Sequence, residues 1–458
     1  MSDSAIRPAS EGSPMQRFGA GIARCTFDSL DAEGVRKAKL CLLDYLSCAL
    51  VTHELAWCRE ALAVSADPLA TDGCTIIGTA LRAPAHDAAF ANAVLGHGLV
   101  RDDMHLGSVS HLGVVVLPAV LAVAEVGKVT GEALLAAIAC GYEAGGKIGR
   151  AILDVDVAAR FRPTGIAGPV AAAAAAAKLL GLEAAGIAAA LAIAANTAAG
   201  YNEWASTGGS EMFFQVGFAA RNGLTAARLA AAGAYASPSA LDGAAGLLAA
   251  FGKRGAAVAA PFEGGAELSS VFFKPVPACN FAQTPAQAAE RIAREHRIDP
   301  AEIESVRVRV TRAAAAYPGC DSRGPFEHVL QAKMSIAYNV AVALGKGAFA
   351  EAYYRPAEQR DIARLSESVR LEIDDDLTAA YPARQGAEVV VSLRSGAALS
   401  ARLDDVVPAS EQDVLRRFEA AAERRLGAPR AQRLFDSVMS LERTSDAAGL
   451  ARLTAAAA

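Results

Sequence analysis

The residues from His97 to His111 bring several acid–base groups into one short stretch, HGLVRDDMHLGSVSH. Three of the chain's seven histidines and two adjacent aspartates, Asp102 and Asp103, fall in this segment, between Ala-rich apolar runs. Titratable groups next to segments that are readily buried must be hydrogen-bonded, exposed to solvent or part of a functional site. The stretch therefore predicts a catalytic loop that joins two helices.

Composition and charge bound the kind of protein that carries this loop. The 458 residues suffice for two domains, and 53% are hydrophobic although only 6% are aromatic, which favours closely packed Ala-rich helices. The net charge is -5 and no basic run occurs, which argues against a nucleic-acid partner. A small anionic substrate stays possible, because local arginines can dominate inside a cleft.

Neither the cysteines nor the apolar segments indicate secretion or a membrane. The eight cysteines are scattered without a CxxC pair, so we expect most to be reduced and buried. The polar leader over residues 1–17 is predicted to be disordered and lacks signal-peptide character. Lys178, Gly181 and Glu183 interrupt the apolar segment 166–200, which favours two buried helices over a membrane span. We expect a cytoplasmic protein with no membrane partner.

The elements that must position the loop are mostly helical. Helical periodicity dominates residues 18–263, with predicted helices at 35–51, 85–96, 114–126, 131–152, 168–180, 184–198 and 218–232. Period-two alternation then predicts strands at 304–312, 370–373, 388–393 and 399–403, with helices at 285–296 and 331–344. Helical pattern returns at 410–425, 430–441 and 447–456. The prediction is a mainly α protein: an all-α domain from both chain ends (18–263 with 405–458) and an inserted α+β lid domain with an antiparallel sheet (264–404).

Six strings, in order along residues 20–345, resemble the MmgE/PrpD family. They are AHDAAFANAVLGHGLVRDDMH, HLGVVVLPAVLAVAEVGKVTGEALLAAIACGYEAGGKIGRA, FRPTGIAGPVAAAAAAAKLLGL, GFAARNGLTAARLAAAGA, FFKPVPAC and AKMSIAYNVAVAL. The family has the same two-domain architecture, and the resemblance implies a homodimer that needs no metal or organic cofactor.

The resemblance also implies a reaction class. Family members remove a proton or a carboxylate next to a carboxylate, which requires a base, groups that stabilise the developing charge, and fixed cations that hold the remaining carboxylates. We expect a cofactor-independent lyase of the dehydratase type on a small di- or tricarboxylate. An epimerase, a decarboxylase and a member that has lost catalysis remain as alternatives.

The family's histidine- and aspartate-rich loop matches His97, Asp102, Asp103 and His105. His111 matches the histidine before the Leu-Pro helix and is the leading candidate for the base, unless it is a capping or buried structural histidine. His105 and Asp103 are further catalytic candidates, and His97 and Asp102 are candidates for substrate binding. The two aspartates suit helix capping or orientation of a histidine equally well.

Several positions depart from the family pattern. Val100 replaces an acidic residue and Met104 a threonine, while Arg162 stands where relatives carry a histidine. Arg162 is predicted to bind a substrate carboxylate, or else to form a structural ion pair. Met212 and Gln215 replace a lysine and a histidine. Gln215 can still hydrogen-bond the substrate, but the pocket should be more apolar than in relatives.

Five further residues come from the rest of the resemblance. Lys274, Cys279 and Asn280 are predicted to bind substrate, although Cys279 also suits a small buried position. Tyr317 is a candidate proton donor from the lid domain. Lys147 pairs either with a substrate carboxylate or with Glu143 one turn earlier.

Other site classes find little support in the sequence. His105, His111 and Asp102 could be drawn as a metal site, but their spacing matches no standard ligand set and the family argues against a metal. Neither a Walker loop nor a serine-hydrolase elbow is present.

Overall fold

The computed structural model describes residues 12–66 and 72–456. The predicted leader over residues 1–17 lies largely outside this range, but the first helix already begins at Pro14, so residues 14–17 are helical. The helices before the lid domain are α1 (Pro14–Arg24), α2 (Ala32–Ala49), α3 (Ala56–Ser65), α4 (Ala85–His97), α5 (Gly113–Val126), α6 (Gly131–Ile152), α7 (Val155–Arg160), α8 (Pro163–Leu179), α9 (Ala184–Ala195), α10 (Trp204–Thr207), α11 (Glu211–Ala231) and α12 (Leu247–Ala250).

Small residues let the central helices approach closely. The Ala-rich helix α8 is almost wholly buried and packs on both α6 and α11. A Cβ at Gly223 of α11 would lie 2.5 Å from the carbonyl oxygen of Pro169 in α8, so only glycine permits this approach. The Ala-rich composition therefore builds a tight helical core in which a one-methyl change is felt.

The second half of the chain contains a four-stranded sheet covered by helices. Its strands are β5 (Ile303–Val310), β6 (Val369–Ile373), β7 (Ala387–Leu393) and β8 (Ala398–Leu403), in the order β6-β5-β7-β8. Pairs β5–β7 and β7–β8 are antiparallel, and the predicted β7–β8 hairpin is present. The prediction of a purely antiparallel sheet is wrong for β5–β6, which are parallel, because the α-helical crossover between them returns the chain in the same direction.

The lid domain also contains helices α13 (Gln283–His296), α14 (Arg312–Ala316), α15 (Val329–Met334), α16 (Ile336–Lys346), α17 (Arg360–Glu367) and α18 (Asp375–Ala380). The single helix predicted over 331–344 is two helices, because Ser335 has extended backbone and caps α16 through its hydroxyl.

The C-terminal helices α19 (Glu411–Leu426), α20 (Ala428–Met439) and α21 (Ala448–Leu453) return to the N-terminal part of the chain. Helix α19 packs on α2, and α21 packs on α5. The predicted mainly α fold, with a helical domain built from both chain ends, is confirmed. Among the described residues, no helix is both long and apolar enough to cross a bilayer.

Two short ladders that the sequence analysis missed lie outside the main sheet. Strands β1 (Cys74–Thr75) and β2 (Arg82–Ala83) pair with each other. Strand β3 (Met104–His105) pairs with β4 (Val271–Phe272) and thereby fastens the His-rich loop to the start of the second half of the chain. Helix α3 was also missed.

Candidate active site

The His-rich loop, residues 98–112, connects α4 to α5 as predicted. His97 is the last residue of α4, and His111 lies two residues before α5. Asp103 fixes the end of the loop where α5 begins, since its carboxylate accepts hydrogen bonds from the Gly113 backbone N–H (3.1 Å) and from the Tyr142 hydroxyl. Burial raises the pKa of Asp103 to about 6. This geometry matches the helix-capping alternative for Asp103.

Asp102 lies between two imidazole rings at the centre of the site. Its Oδ1 is 2.8 Å from Nδ1 of His97, and its Oδ2 is 2.8 Å from Nδ1 of His111. The first contact is an aligned hydrogen bond, whereas the second lacks hydrogen-bond alignment. Burial opposes ionisation of Asp102, but the two histidines hold its pKa well below the usual range.

The proton on His97 is fixed by Arg162. The guanidinium Nη2 of Arg162 lies 2.7 Å from Nε2 of His97, and because an arginine only donates, that Nε2 must be the acceptor. Nδ1 of His97 therefore carries the proton and donates it to Asp102. His97 is thus a neutral positioning group with both nitrogens occupied, and burial lowers its pKa.

His111 keeps one ring nitrogen for chemistry. Its ring lines a cavity of about 30 Å³, and its Nδ1 faces Asp102, which leaves Nε2 for the cavity. Burial lowers the pKa of His111 to about 3, so the ring is neutral at pH 7 and can accept a proton. A neutral imidazole beside a carboxylate and next to a cavity is an arrangement suited to general-base catalysis.

The same cavity collects candidate residues from both domains. Besides His111, its lining includes four predicted site residues: Arg162, Cys279, Asn280 and Tyr317. The cavity, of about 30 Å³, is small compared with a di- or tricarboxylate.

The lid-domain groups differ in what they can offer. Burial raises the pKa of Tyr317, so its hydroxyl remains protonated and can donate a proton. The amide of Asn280 donates to Gln385, while its Oδ1 has no hydrogen-bond partner among the described residues. The sulfur of Cys279 lies 3.7 Å from that of Cys320, and all eight cysteines are buried free thiols.

Lys274 is behind the cavity wall rather than in it. Its ammonium is fully buried and donates to the Val100 carbonyl oxygen at 2.6 Å. Burial lowers the pKa of Lys274 to about 8, with Asp102 and Cys279 opposing the shift. Val100 has φ 58°, which is costly for a β-branched residue, and this strain presents its carbonyl oxygen to the lysine.

His105 and Lys147 lie outside the cavity. His105 contacts Ser108 Oγ through Nδ1 and Glu267 Oε2 through Nε2, both at 2.7 Å. Lys147 lies 3.2 Å from Glu267 and 3.7 Å from Glu143, which is the alternative pairing predicted for it. Both ring nitrogens of His105 are therefore occupied in a structural ion-pair cluster.

Gln215 also lies outside the cavity lining. Its side-chain amide donates to the Tyr201 carbonyl oxygen at 3.0 Å. Met212, by contrast, lines the cavity, and its sulfur is 3.1 Å from Nε2 of His97.

The sequence analysis missed part of the wall. Trp204 lines the cavity and has the Arg162 guanidinium 5.1 Å from its ring centroid, a cation–π contact. Phe281 and Met334 were missed as well. The one available signal was that Trp204 is one of only two tryptophans in the chain.

His97, Asp102 and His111 also lie close enough together to hold a metal ion. The surrounding positive charges oppose a dication. Arg162 already occupies Nε2 of His97. Arg162 and Lys274 are both near enough to Asp102 for its negative charge to favour their charged forms, so the carboxylate already has two cations close by. The donor set thus fits the hydrogen-bonded Asp102–His97 pair, with His111 beside it, better than a metal centre.

A buried aspartate and two histidines lie between a helical domain and an α+β domain, close to an arginine and a lysine, an arrangement typical of acid–base chemistry. The sequence matches the MmgE/PrpD N-terminal domain over residues 16–258 and the MmgE/PrpD C-terminal domain over residues 276–443. The chain belongs to the MmgE/PrpD family.

Its similar proteins include enzymes named for one reaction. The chain is 27% identical to cis-aconitate decarboxylase of Aspergillus terreus, over 93% of this chain and 92% of that protein. It is 28% identical to the human cis-aconitate decarboxylase over 81% of this chain and 80% of that protein. A cis-aconitate decarboxylase-like protein, oryM, of Aspergillus oryzae is 35% identical over 44% of this chain and 43% of that protein.

Proposed function

We propose that the protein is a lyase that acts on a small di- or tricarboxylate by creating negative charge on a carbon next to a carboxylate. The observation that carries the proposal is the position of His111, which turns one nitrogen to Asp102 and leaves the other in a cavity shared with Arg162 and Tyr317.

The residues divide the chemistry among them. His111 Nε2 takes the proton from the carbon, and Asp102 stabilises the imidazolium that forms. Arg162 binds a carboxylate and stabilises the enolate-like charge, aided by the buried ammonium of Lys274. Tyr317 supplies a proton to the leaving group. His97 and Asp103 hold Asp102 and helix α5 in place, and we assign His105 and Lys147 to the supporting ion-pair cluster.

A neutral His111 can take up a proton from carbon, which is the first step of dehydration, and we place dehydration first. Decarboxylation is the second candidate, because relatives that match most of the chain are decarboxylases. In that reaction carbon dioxide leaves first, and the Tyr317 hydroxyl, which burial keeps protonated, protonates the carbon. Epimerisation shares the first step with dehydration.

One experiment separates these reactions. The protein is incubated in deuterium oxide with cis-aconitate, 2-methylcitrate, citrate and a set of hydroxy- and amino-dicarboxylates, followed by proton NMR. Loss of water, loss of carbon dioxide, or deuterium exchange with inversion identifies dehydratase, decarboxylase or epimerase. Binding of these compounds without any exchange or product would favour the non-catalytic alternative and overturn the proposal.

A further inference from the structure

A second cavity, of about 290 Å³, lies next to the active-site cavity between the helical and lid domains. Val109, Phe281 and Tyr317 line both cavities. We call this larger space, lined also by Leu106, Leu153 and Tyr381, the apolar chamber. These three shared side chains lie between the chamber and the cavity lined by His111 and Arg162.

The chamber offers an apolar surface and no binding site for an anion. Phe281 stacks obliquely on Tyr317 and Tyr381, with ring centroids 5.3 and 6.0 Å apart. The one charged residue in the lining is Asp154, which caps α7 and pairs with Lys253. Among the described residues that line the chamber none is basic, so a carboxylate there would lose its hydration without compensation.

The active-site cavity has the opposite character. Arg162 and His111 lie in its wall, and its space of about 30 Å³ accommodates little beyond the reacting groups. A longer substituent can extend past Val109, Phe281 and Tyr317 into the chamber. Val109 has φ 48°, a conformation that β-branched residues rarely adopt, so backbone strain is concentrated where the two cavities meet.

From this arrangement we infer that the substrate carries an apolar substituent, alkyl or aryl, which occupies the chamber while its carboxylate binds Arg162. The inference rests on the proposed function and adds the substrate class. The chamber is thus occupied by the apolar part of the substrate. The alternative that the test must distinguish is that the substrate only passes through the chamber on its way to the active-site cavity.

The test measures binding and does not require turnover. Dissociation constants of succinate and of 2-methyl-, 2-butyl-, 2-hexyl- and 2-octylsuccinate are measured by calorimetry with the full-length protein. Each added methylene is expected to tighten binding about fourfold until the chamber is full, the fold-change that corresponds to roughly 0.8 kcal/mol per buried methylene. A dissociation constant that is independent of chain length would show a passage alone and would overturn the inference.

Two variants fill the chamber from opposite walls without touching Arg162 or His111. Ala158→Leu acts from α7 and Ala313→Leu from α14, and both alanines line the chamber. Each should leave succinate binding unchanged and abolish the gain for hexyl- and octylsuccinate. The control, Ala185→Leu, alters an exposed position on α9 and should bind like the parent.

The two substitutions also separate this inference from the proposed function. Chain-length-dependent binding with neither deuterium exchange nor product from any compound would refute the lyase and leave the chamber's ligand class standing. Deuterium exchange on short carboxylates together with binding that does not depend on chain length in the parent would refute the inference about the chamber alone. The same would follow if Ala158→Leu and Ala313→Leu both kept the parent's dependence of binding on chain length.

Discussion

At the scale of single residues, the positive charge of the site lies at a different position from the one in the family pattern. The resemblance places a histidine at position 162 and a lysine at position 212, whereas this chain has Arg162 and Met212. In the structure both side chains reach the same nitrogen, Nε2 of His97, at 2.7 and 3.1 Å. Arg162, the N-cap residue of α8, is therefore the cation beside His97 in this chain, where the resemblance places a lysine on α11.

A reciprocal exchange tests this explanation. Arg162→His should abolish activity, since the cavity loses its cation. Met212→Lys should destabilise the fold by about 3–5 kcal/mol, because a second buried cation would face Arg162 without a partner. The double variant should recover stability and part of the activity, as measured by urea unfolding and deuterium exchange. Additive losses in the double variant would contradict a shared role for the two positions.

The second residue-scale prediction concerns Lys274. Its ammonium is charged below a pKa of about 8 and neutral above it, so kcat/KM should fall by about tenfold per pH unit at higher pH. Lys274→Arg keeps its charge and should move this alkaline limb upward. The control, Lys128→Arg, is exposed and should leave the profile unchanged. An unchanged alkaline limb in Lys274→Arg would exclude Lys274 as its source.

Sequence reasoning identified the residues of the cavity better than their roles. His111, Arg162 and Tyr317 meet there, although they come from three separate segments. His105 and Lys147 do not, because both turn to Glu267, a residue more than a hundred positions away that no local pattern connects with them. The tautomer of His97 likewise depends on Arg162, which only the folded chain brings near.

At the scale of elements, the start of α5 decides where His111 lies. Helix α5 begins at Gly113 without a side-chain cap of its own, and Asp103 takes that role from within the loop. Gly113 leaves room for it, since a Cβ there would lie 2.6 Å from Asp103 Oδ2. The Tyr142 hydroxyl on α6 holds the other side of the same carboxylate.

Removal of that hydroxyl should loosen the loop. Tyr142→Phe leaves a buried carboxylate short of one donor and should lower the free energy of unfolding by about 1–3 kcal/mol. Chemical denaturation at pH 7 measures the change, and Tyr235→Phe, at a 90% exposed side chain, is the matched control. Equal stability of Tyr142→Phe and the parent would refute the anchoring role of Asp103.

Element boundaries were predictable where one periodicity extended over many residues. The helix predicted at 131–152 is α6 to the residue, because Thr130 supplies a cap at its start. Strands β1 to β4 of two residues each are too short to show any alternation. The parallel pairing of β5 and β6 also escaped, since a strand's direction depends on the crossover and not on its own residues.

At the scale of the whole molecule, the homodimer predicted from the resemblance remains to be tested. Phe218 and Leu229 are exposed on α11 by 51% and 46% and, spaced about three turns apart, lie on one face. We propose that this face, which also carries Arg221 between the two apolar side chains, is part of the dimer interface. Light scattering should give twice the 47.0 kDa chain mass, and Phe218→Glu with Leu229→Glu should halve it. A monomeric parent would contradict the dimer, whereas Val64→Glu, at another exposed apolar residue, should not alter the mass.

The two domains also determine access to the site. The cavity wall combines Arg162 of the helical domain with Tyr317 of the lid, so any change in how the two domains pack would alter access to the site.

The most direct measurement is the rate of deuterium incorporation next to the substrate carboxylate in the parent and in His111→Gln. Glutamine keeps a polar side chain but cannot take a proton, so the rate should fall by roughly 10²–10⁴-fold, the usual contribution of a general base. The control, His296→Gln, replaces an exposed histidine at the end of α13 and should exchange like the parent. A His111→Gln protein that folds and exchanges as fast as the parent would contradict the account.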